Sequence, residues 1–580
     1  MKRLLALALA LLMFVSLLSG CGGSAANGSV SSGSSSEASA SPAASSATES
    51  AATTEAAQAA ADEAAKDGVT PKGELPVVKE KITITALVKL LPWISDMVEN
   101  TYTKRMEERT NIHLDMTVVP QEGYEDKKKL LLTTDDYPEI IMTGAANNNN
   151  DIVKYGIEEK IYIPLNPYIE KYSVNLVDRW NELPHIKAGM TAPDGNMYVL
   201  PAFEGMVIHT VTMRSWINTA WLEKLGLSMP TTTDEYRAVL EAFKTKDPNG
   251  NGKADEVPMS GAINTWNAEP YLFLLNAFGN YQTQLVQLKD GKFTGCANTE
   301  GFLEGLKYIN GLYRDKLLDP ASLTQDLTQL SQLANATPTV LGMYPGGHIG
   351  MGVDIANRAL ADQYDYLLPL SSPNHKGTIP MADKESVNGG DFAITDKCLN
   401  PAAAFRMMDL LYEMYEGWTA GRGPQGVVWD MADAGGKGVT GEEAKIKLLP
   451  GITYSNSLRN DIWSQAAPIG LNKDSRLLLQ VSGDMRDPAN YEPRLIQLDK
   501  EYQKFASEYE QIMPMWASPE AATELNNQFT LINDYVKASI TDFITGRKSF
   551  DTDWDSYLAG LKKLGYDEYI AAYEKAYFAK

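Results

Sequence analysis

The segment KITITALVKLLPW, residues 81–93, limits the fold most, because its apolar residues alternate and are rich in β-branched side chains, as a strand requires. TYTKRMEERTNIHLDMTVVP follows, a helix and then a second strand. KKKLLLTTDDYPEIIMTG repeats the pattern, with a helix that closes in polar residues before a short apolar strand at Glu139–Met142. Such alternation predicts parallel α/β packing with loops gathered at the strands' carboxyl ends, where ligands bind in sheets of this kind.

After GNMYVLPAFEGMVIHTVTMRSWINTAWLEKLGL the pattern changes to long amphipathic helices, and TTTDEYRAVLEAFK opens with threonines and an Asp suited to capping. Strands return around Thr339–Gly342 and Phe392–Thr395. The stretch from about Leu495 to Lys580 reads as mainly helical, with Gly546 and Gly565 as stops. A chain that leaves one α/β lobe for another and later returns crosses between them more than once, and multiple crossings make a hinge.

The chain opens with MKRLLALALALLMFVSLLSGC: two basic residues, an apolar run from Leu4 to Leu18, and small residues before Cys21. That is a secretory signal, its apolar part too short to span a membrane comfortably. Leu18-Ser19-Gly20-Cys21 resembles the lipobox of bacterial lipoproteins, which implies that Cys21 becomes the lipidated first residue of the mature chain. The plainer alternative is a cleavable peptide that happens to contain Cys. From Gly22 to about Pro76 the composition is Ser, Ala, Gly, Thr and Glu, which buries too little apolar surface to offset its ordering entropy and predicts a flexible tether. A local helix across AATTEAAQAAADEAAK has nothing in the sequence to pack against. The formal net charge of −22 argues against a nucleic-acid partner. Cys296 and Cys398 are the only other cysteines, too few for a disulfide scaffold, and the sequence leaves their pairing open.

The stretch DPNGNGKADE, Asp247 to Glu256, places Asp247, Asn249 and Asn251 at every second position and Gly252 at the sixth. This is the front half of an EF-hand calcium loop, with the Lys253 carbonyl at the seventh position and Asp255 at the ninth. Pro258 stands where a twelfth-position Glu is expected, so Glu256 is the candidate for the missing oxygens. A calcium ion here would be structural. The simpler alternative is a solvated Asn-Gly turn.

These residues resemble the sugar-specific extracellular solute-binding lipoproteins that feed bacterial ABC importers, relatives of maltodextrin-binding protein, over nearly the whole body. YPEIIMTG resembles the family's first-lobe strand before the ligand loop. GNMYVLPAFEG with the following WLEKLGL resembles the first crossover, and NGGDFAITDKCLNPAAAFRMMDLLY the return strand and helix. DPNGNGKADE resembles the calcium loop of the larger oligosaccharide- and alginate-binding members, whose ligands match Asp247, Asn249, Asn251, the Lys253 carbonyl, Asp255 and Glu256. The resemblance implies a two-lobe periplasmic-binding-protein-like α/β fold with hinge crossovers and a helical C-terminal region. The segments expected are 1–20 signal peptide, 21–76 tether, 77–205 first part of lobe 1, 206–385 lobe 2 with the calcium loop, 386–445 lobe 1 return, and 446–580 a mainly helical part shared between lobes.

Sugars present hydroxyls and flat C–H faces, so a sugar cleft interleaves carboxylates or amides with aromatic rings. NTWNAEPYLF, Asn264 to Phe273, supplies both in ten residues, which nominates Trp266. Its EPY resembles the maltodextrin-binding pattern and nominates Glu269 and Tyr271, and the crossover nominates Glu204. Weaker candidates are Tyr344 and His348 in LGMYPGGHIG, where the family's Trp is absent, Trp429, Trp463, Asn147, and Arg422 with Arg459 for a carboxylated sugar. A single aromatic residue is otherwise more often core. No HExxH, G-x-S-x-G or GxxxxGK[ST] motif occurs. The expected function is a lipid-anchored, monomeric, non-enzymatic receptor on the extracytoplasmic face of the cell membrane. It captures an oligosaccharide between two lobes and delivers it to an ABC permease. The alternatives are a secreted carbohydrate-active enzyme and an adhesion lipoprotein.

Overall fold

The alternating segment forms strand β1 (Ile82–Leu90), whose Ile84, Ala86, Leu87 and Val88 are closed to water. The structure is a computed structural model and describes residues 58–579 apart from 60, 147–148, 183, 203–210, 212, 264, 381–387, 450–457, 471–475 and 514. Helix α1 (Thr101–Thr110) begins where the Asn100 side chain accepts from the Tyr102 amide, and leads into β2 (Ile112–Pro120). Helix α2 (Tyr124–Thr133) precedes β3 (Ile140–Ile141). Both β2 and β3 pair parallel to β1. Strand β4 (Val199–Ala202) closes this part of the chain.

The next elements are β5 (Ser215–Asn218) and α3 (Thr233–Thr245), which starts in a reciprocal capping box between Thr232 and Glu235. A hairpin follows, β6 (Val286–Lys289) with β7 (Lys292–Gly295), then α4 (Glu300–Arg314), β8 (Met343–Pro345) and β9 (Tyr364–Leu367). Strands β8, β5 and β9 make an antiparallel sheet with β5 central. The chain then returns as β10 (Asn388–Ile394), which inserts antiparallel between β3 and β4, so the first sheet is mixed rather than purely parallel. Helices α5 (Pro401–Asp409) and α6 (Met414–Arg422) and the pair β11 (Trp429–Met431) and β12 (Ile446–Leu448) complete this lobe. Helix α7 (Tyr491–Tyr502) comes next, followed by α8 (Pro519–Thr545), α9 (Phe550–Lys563) and α10 (Tyr566–Phe578). Gly546 and Gly565 sit at the intervening breaks in left-handed backbone, φ +75° and +81°, where glycine carries no side-chain penalty.

Two bodies of core define the lobes. One gathers β1 to β4, β10, α5, α6 and Trp429, Ile446 and Trp463. The other gathers α3, α4, the hairpin and α8 to α10, and a satellite under β5 and β8 takes Leu495, Ile496 and Leu498 of α7. Cys296 belongs to the second core and Cys398 packs against the first, so both stay free thiols. The expected tether ends earlier than Pro76. Residues 61–66 are helical, and Ala64, Val69, Val77 and Val78 are buried. Lys171 pairs with Glu63 at 2.9 Å and Asp67 at 2.7 Å, and Arg406 donates to the Thr70 and Glu74 carbonyls. A few spaced apolar residues suffice once partners far along the chain satisfy the polar ones. Among the described residues no helix is long and apolar enough to cross a membrane.

Candidate ligand-binding site and acidic loop

Strand β8 runs into a turn, Gly346–Gly347, ahead of His348. The Gly346 amide donates to the Arg214 carbonyl at 3.0 Å, and the Trp216 indole donates to the Gly346 carbonyl at 3.1 Å. The Trp266 ring lies on Gly347 so closely that a Cβ there would stand 2.5 Å from its Cε3, which only glycine permits. Trp266 is 39% exposed, an unusual amount for so large an apolar ring. The ring centroids of Trp266 and His348 are 5.9 Å apart, and His348 meets Tyr491, the first residue of α7, edge-on at 5.5 Å. These three rings form one aromatic wall.

The α7 end of the wall lies beside a contact between the two lobes. Glu492, next to Tyr491, is buried and accepts from Arg422 at the end of α6 at 2.9 Å, and Arg476 lies 3.0 Å from its other oxygen. Glu269 is half-buried beside this region in sequence, and Tyr271 is buried. Burial first, and the Glu269 charge second, push the Tyr271 hydroxyl above the usual phenol range, so it remains a neutral hydrogen-bonding group.

Three expected contacts are corrected. Tyr344 is fully buried and donates to the Ile349 carbonyl at 2.7 Å. Trp429 donates to the Gly423 carbonyl at 2.9 Å and stacks on Tyr415. Trp463 donates to Thr103 Oγ1 at 2.7 Å and packs edge-on against Tyr102. With face and N–H or O–H committed internally, each is core packing. Arg459 is clamped by Asp461 at 2.8 and 2.9 Å. Glu204, Asn147 and Cys21 lie outside the described residues. Sequence reasoning missed Tyr491, which opens an ordinary amphipathic helix and has no local signal.

The loop after α3 is built around carboxylates. Asp247 collects the amides of Gly250, Asn251 and Gly252 at 2.9 to 3.1 Å, and Asn249 and Asn251 accept from the Asn251 and Lys253 amides. The amide nitrogens of Asn249 and Asn251 turn to Asp255, and these hydrogen bonds hold the Asp255 carboxyl below its ordinary range. Gly252 has φ +73°, as the sixth position of such a loop requires. Glu256 Oε1 is buried without a hydrogen-bond partner, and burial, with Asp247 and Asp255 nearby, raises its pKa. Among the described residues no three His, Cys, Asp or Glu side chains form a metal cluster by themselves. A cation would therefore need the Asn249 and Asn251 oxygens and the Lys253 carbonyl as well. The all-oxygen set and the orphaned Glu256 oxygen fit a hard cation such as Ca2+.

Two lobes between which the chain crosses repeatedly define the class of two-domain solute receptors. The sequence profile of the bacterial extracellular solute-binding proteins matches residues 92–414, more than half of the chain, and the chain belongs to that family. The fructooligosaccharide ABC transporter substrate-binding protein FusA of Streptococcus pneumoniae serotype 4 is 28% identical over 523 residues, covering 86% of this chain and 90% of that protein. The structure of FusA in complex with kestose superposes with a TM-score of 0.73 at 27% identity, covering 85% of this chain and 98% of that one. An EF-hand mutant of FusA in complex with fructo-nystose superposes with a TM-score of 0.71 at 27% identity, with the same coverage. Family membership places the protein outside the cytoplasm.

Proposed function

We propose that this protein is the substrate-binding component of an ABC importer and captures an oligosaccharide against the Trp266–His348–Tyr491 wall at the seam of its lobes. The observation that carries this reading is the wall itself: an exposed Trp ring, backed by glycine and continued by His348 and then Tyr491, in a chain that aligns along 90% of FusA. Such a face stacks on the C–H surface of a sugar ring, and half-buried Glu269, close to Trp266 in sequence, is the candidate hydroxyl acceptor. A ligand that touches both lobes favours the closed arrangement by its differential affinity, and the permease reads closure. Lipidation at Cys21 holds the receptor at the membrane, and a calcium ion bound by Asp247, Asn249, Asn251, Lys253, Asp255 and Glu256 is structural, a reading supported by the EF-hand of FusA.

Calorimetric titration over an oligosaccharide panel led by kestose tests the substrate class, and small-angle scattering with and without the best binder tests closure. Saturable binding with a smaller radius of gyration is expected. No binding across the panel, or turnover of a glycan, would overturn the receptor reading.

A further inference from the structure

Arg214 is fully buried one residue before β5, and Asp499 is fully buried on α7. A guanidinium taken out of water persists only when it is paired and hydrogen-bonded. Here one arm, Nη2, donates to Asp499 and the other, Nη1, donates to the Gly347 carbonyl. The Arg214 carbonyl in turn accepts from the Gly346 amide. One residue therefore grips the Gly346–Gly347 turn through both backbone and side chain. That turn carries the Trp266 ring on its Gly347 face and His348 as its next residue, while α7, the source of Asp499, carries Tyr491.

All three rings of the wall thus rest on elements that this one ion pair ties together. For stability alone, well-packed apolar side chains of the same volume serve as well as a buried ion pair. What the pair adds is direction, because a planar fork can aim at a carboxylate and a carbonyl at once, which a Lys ammonium cannot do with the same geometry. We propose that Arg214 and Asp499 are positioning residues that hold the Gly347 platform and, through it, set the orientation of Trp266 for stacking. This rests on the reading of Trp266, His348 and Tyr491 as the sugar-facing wall.

The test uses Arg214→Lys, which keeps a charge beside Asp499 but gives up the second arm, and Asp499→Asn, which keeps shape and removes charge. Each is made with Trp266 present and with Trp266→Phe, so that subtraction isolates the near-ultraviolet circular dichroism of Trp266 from that of the other indoles. Loss of most of that band is expected in either variant that folds, and an unchanged band overturns the proposal. Kestose affinity should fall about tenfold in the same variants, with no further loss when Trp266→Ala is combined with them, because the pair acts through that ring. Additive losses would also overturn it. Should the unsubstituted protein bind no kestose, the affinity measurements use the best binder of the panel; if nothing in the panel binds, the receptor reading fails by itself, and the Trp266 band still decides the positioning role. Gly347→Ala leaves the pair intact and crowds the ring directly, so it should reproduce the band loss.

Discussion

Truncating Trp266 to Ala removes an exposed ring whose far face meets solvent, so the ligand-free protein loses little when it goes. Sugar affinity is expected to fall about tenfold or more, the worth of one aromatic stacking partner, while the melting temperature stays within about 2 °C. Trp463→Ala should do the opposite. Its indole is closed to water and bonded to Thr103, so truncation opens a cavity and costs about 3 to 5 kcal/mol in denaturant unfolding without a direct effect on binding. A pair of titrations and a pair of melts on the two variants separates wall from core. The contrast also explains what could be read from residue identity. Trp266 stands out in sequence because Asn, Glu and Tyr surround it, a mixture that a purely apolar core does not supply. Tyr344, Trp429 and Trp463 look alike by composition; Trp463 is turned inward by Thr103, far away in the chain, while Tyr344 and Trp429 bond the Ile349 and Gly423 carbonyls close by in sequence, acceptors that composition does not single out.

Elements with a local cause are legible, and those with a distant one are not. Helix α3 announces itself because Thr232 and Glu235 cap each other within four residues, whereas the antiparallel insertion of β10 depends on β3 and β4, which no local pattern names. The contact of α6 with α1 is of the second kind. Glu416 on α6 is buried and accepts from Tyr102 at 2.8 Å and from Arg105 and Arg109 of α1. Burial alone would push its carboxyl up, but the hydrogen bonds from Arg105 and Tyr102 and the nearby Arg109 charge outweigh it, and the group sits below its ordinary 4.5. A carboxyl depressed on folding contributes stability that is present above its unfolded value and is lost as pH falls through the folded one. Glu416→Gln is therefore expected to cost about 2 kcal/mol at neutral pH, a moderate value because Arg105 and Arg109 remain partly in water. Chemical denaturation from pH 7 to 3 should show the two proteins converging below pH 4.5. Parallel curves would mean that the Glu416 charge does not join α6 to α1.

At the scale of the whole molecule, the alternation of strand and helix made an α/β body legible, and the departures and returns of the chain made two lobes legible. The division of labour between the cores was not, because α7 spends its first turn on Arg422 of one lobe and its later turns on the core of the other. The Asp247–Glu256 loop belongs to this scale, since it ties three parts of the second lobe. It closes α3, receives Lys224 at the Pro248 carbonyl at 2.7 Å, and hands the chain to Val257, which pairs with Leu341 just before β8. Without a cation, Asp247, Asp255 and Glu256 repel one another and Glu256 Oε1 stays buried without a partner. An ion bound only by the folded form stabilises it by RT ln(1 + [L]/Kd), about 2.7 kcal/mol at a hundredfold excess over Kd. Chelation of the purified protein should therefore lower its melting temperature by a few degrees, calcium should restore it, and magnesium should restore it less, since the smaller ion demands stricter octahedral geometry. Asp247→Ala should melt at the chelated value with or without calcium. Sugar affinity should change less than melting does, because the wall is held by the Gly346–Gly347 turn and α7 rather than by the loop itself. Melting that ignores both chelator and Asp247→Ala would reduce DPNGNGKADE to a tight turn.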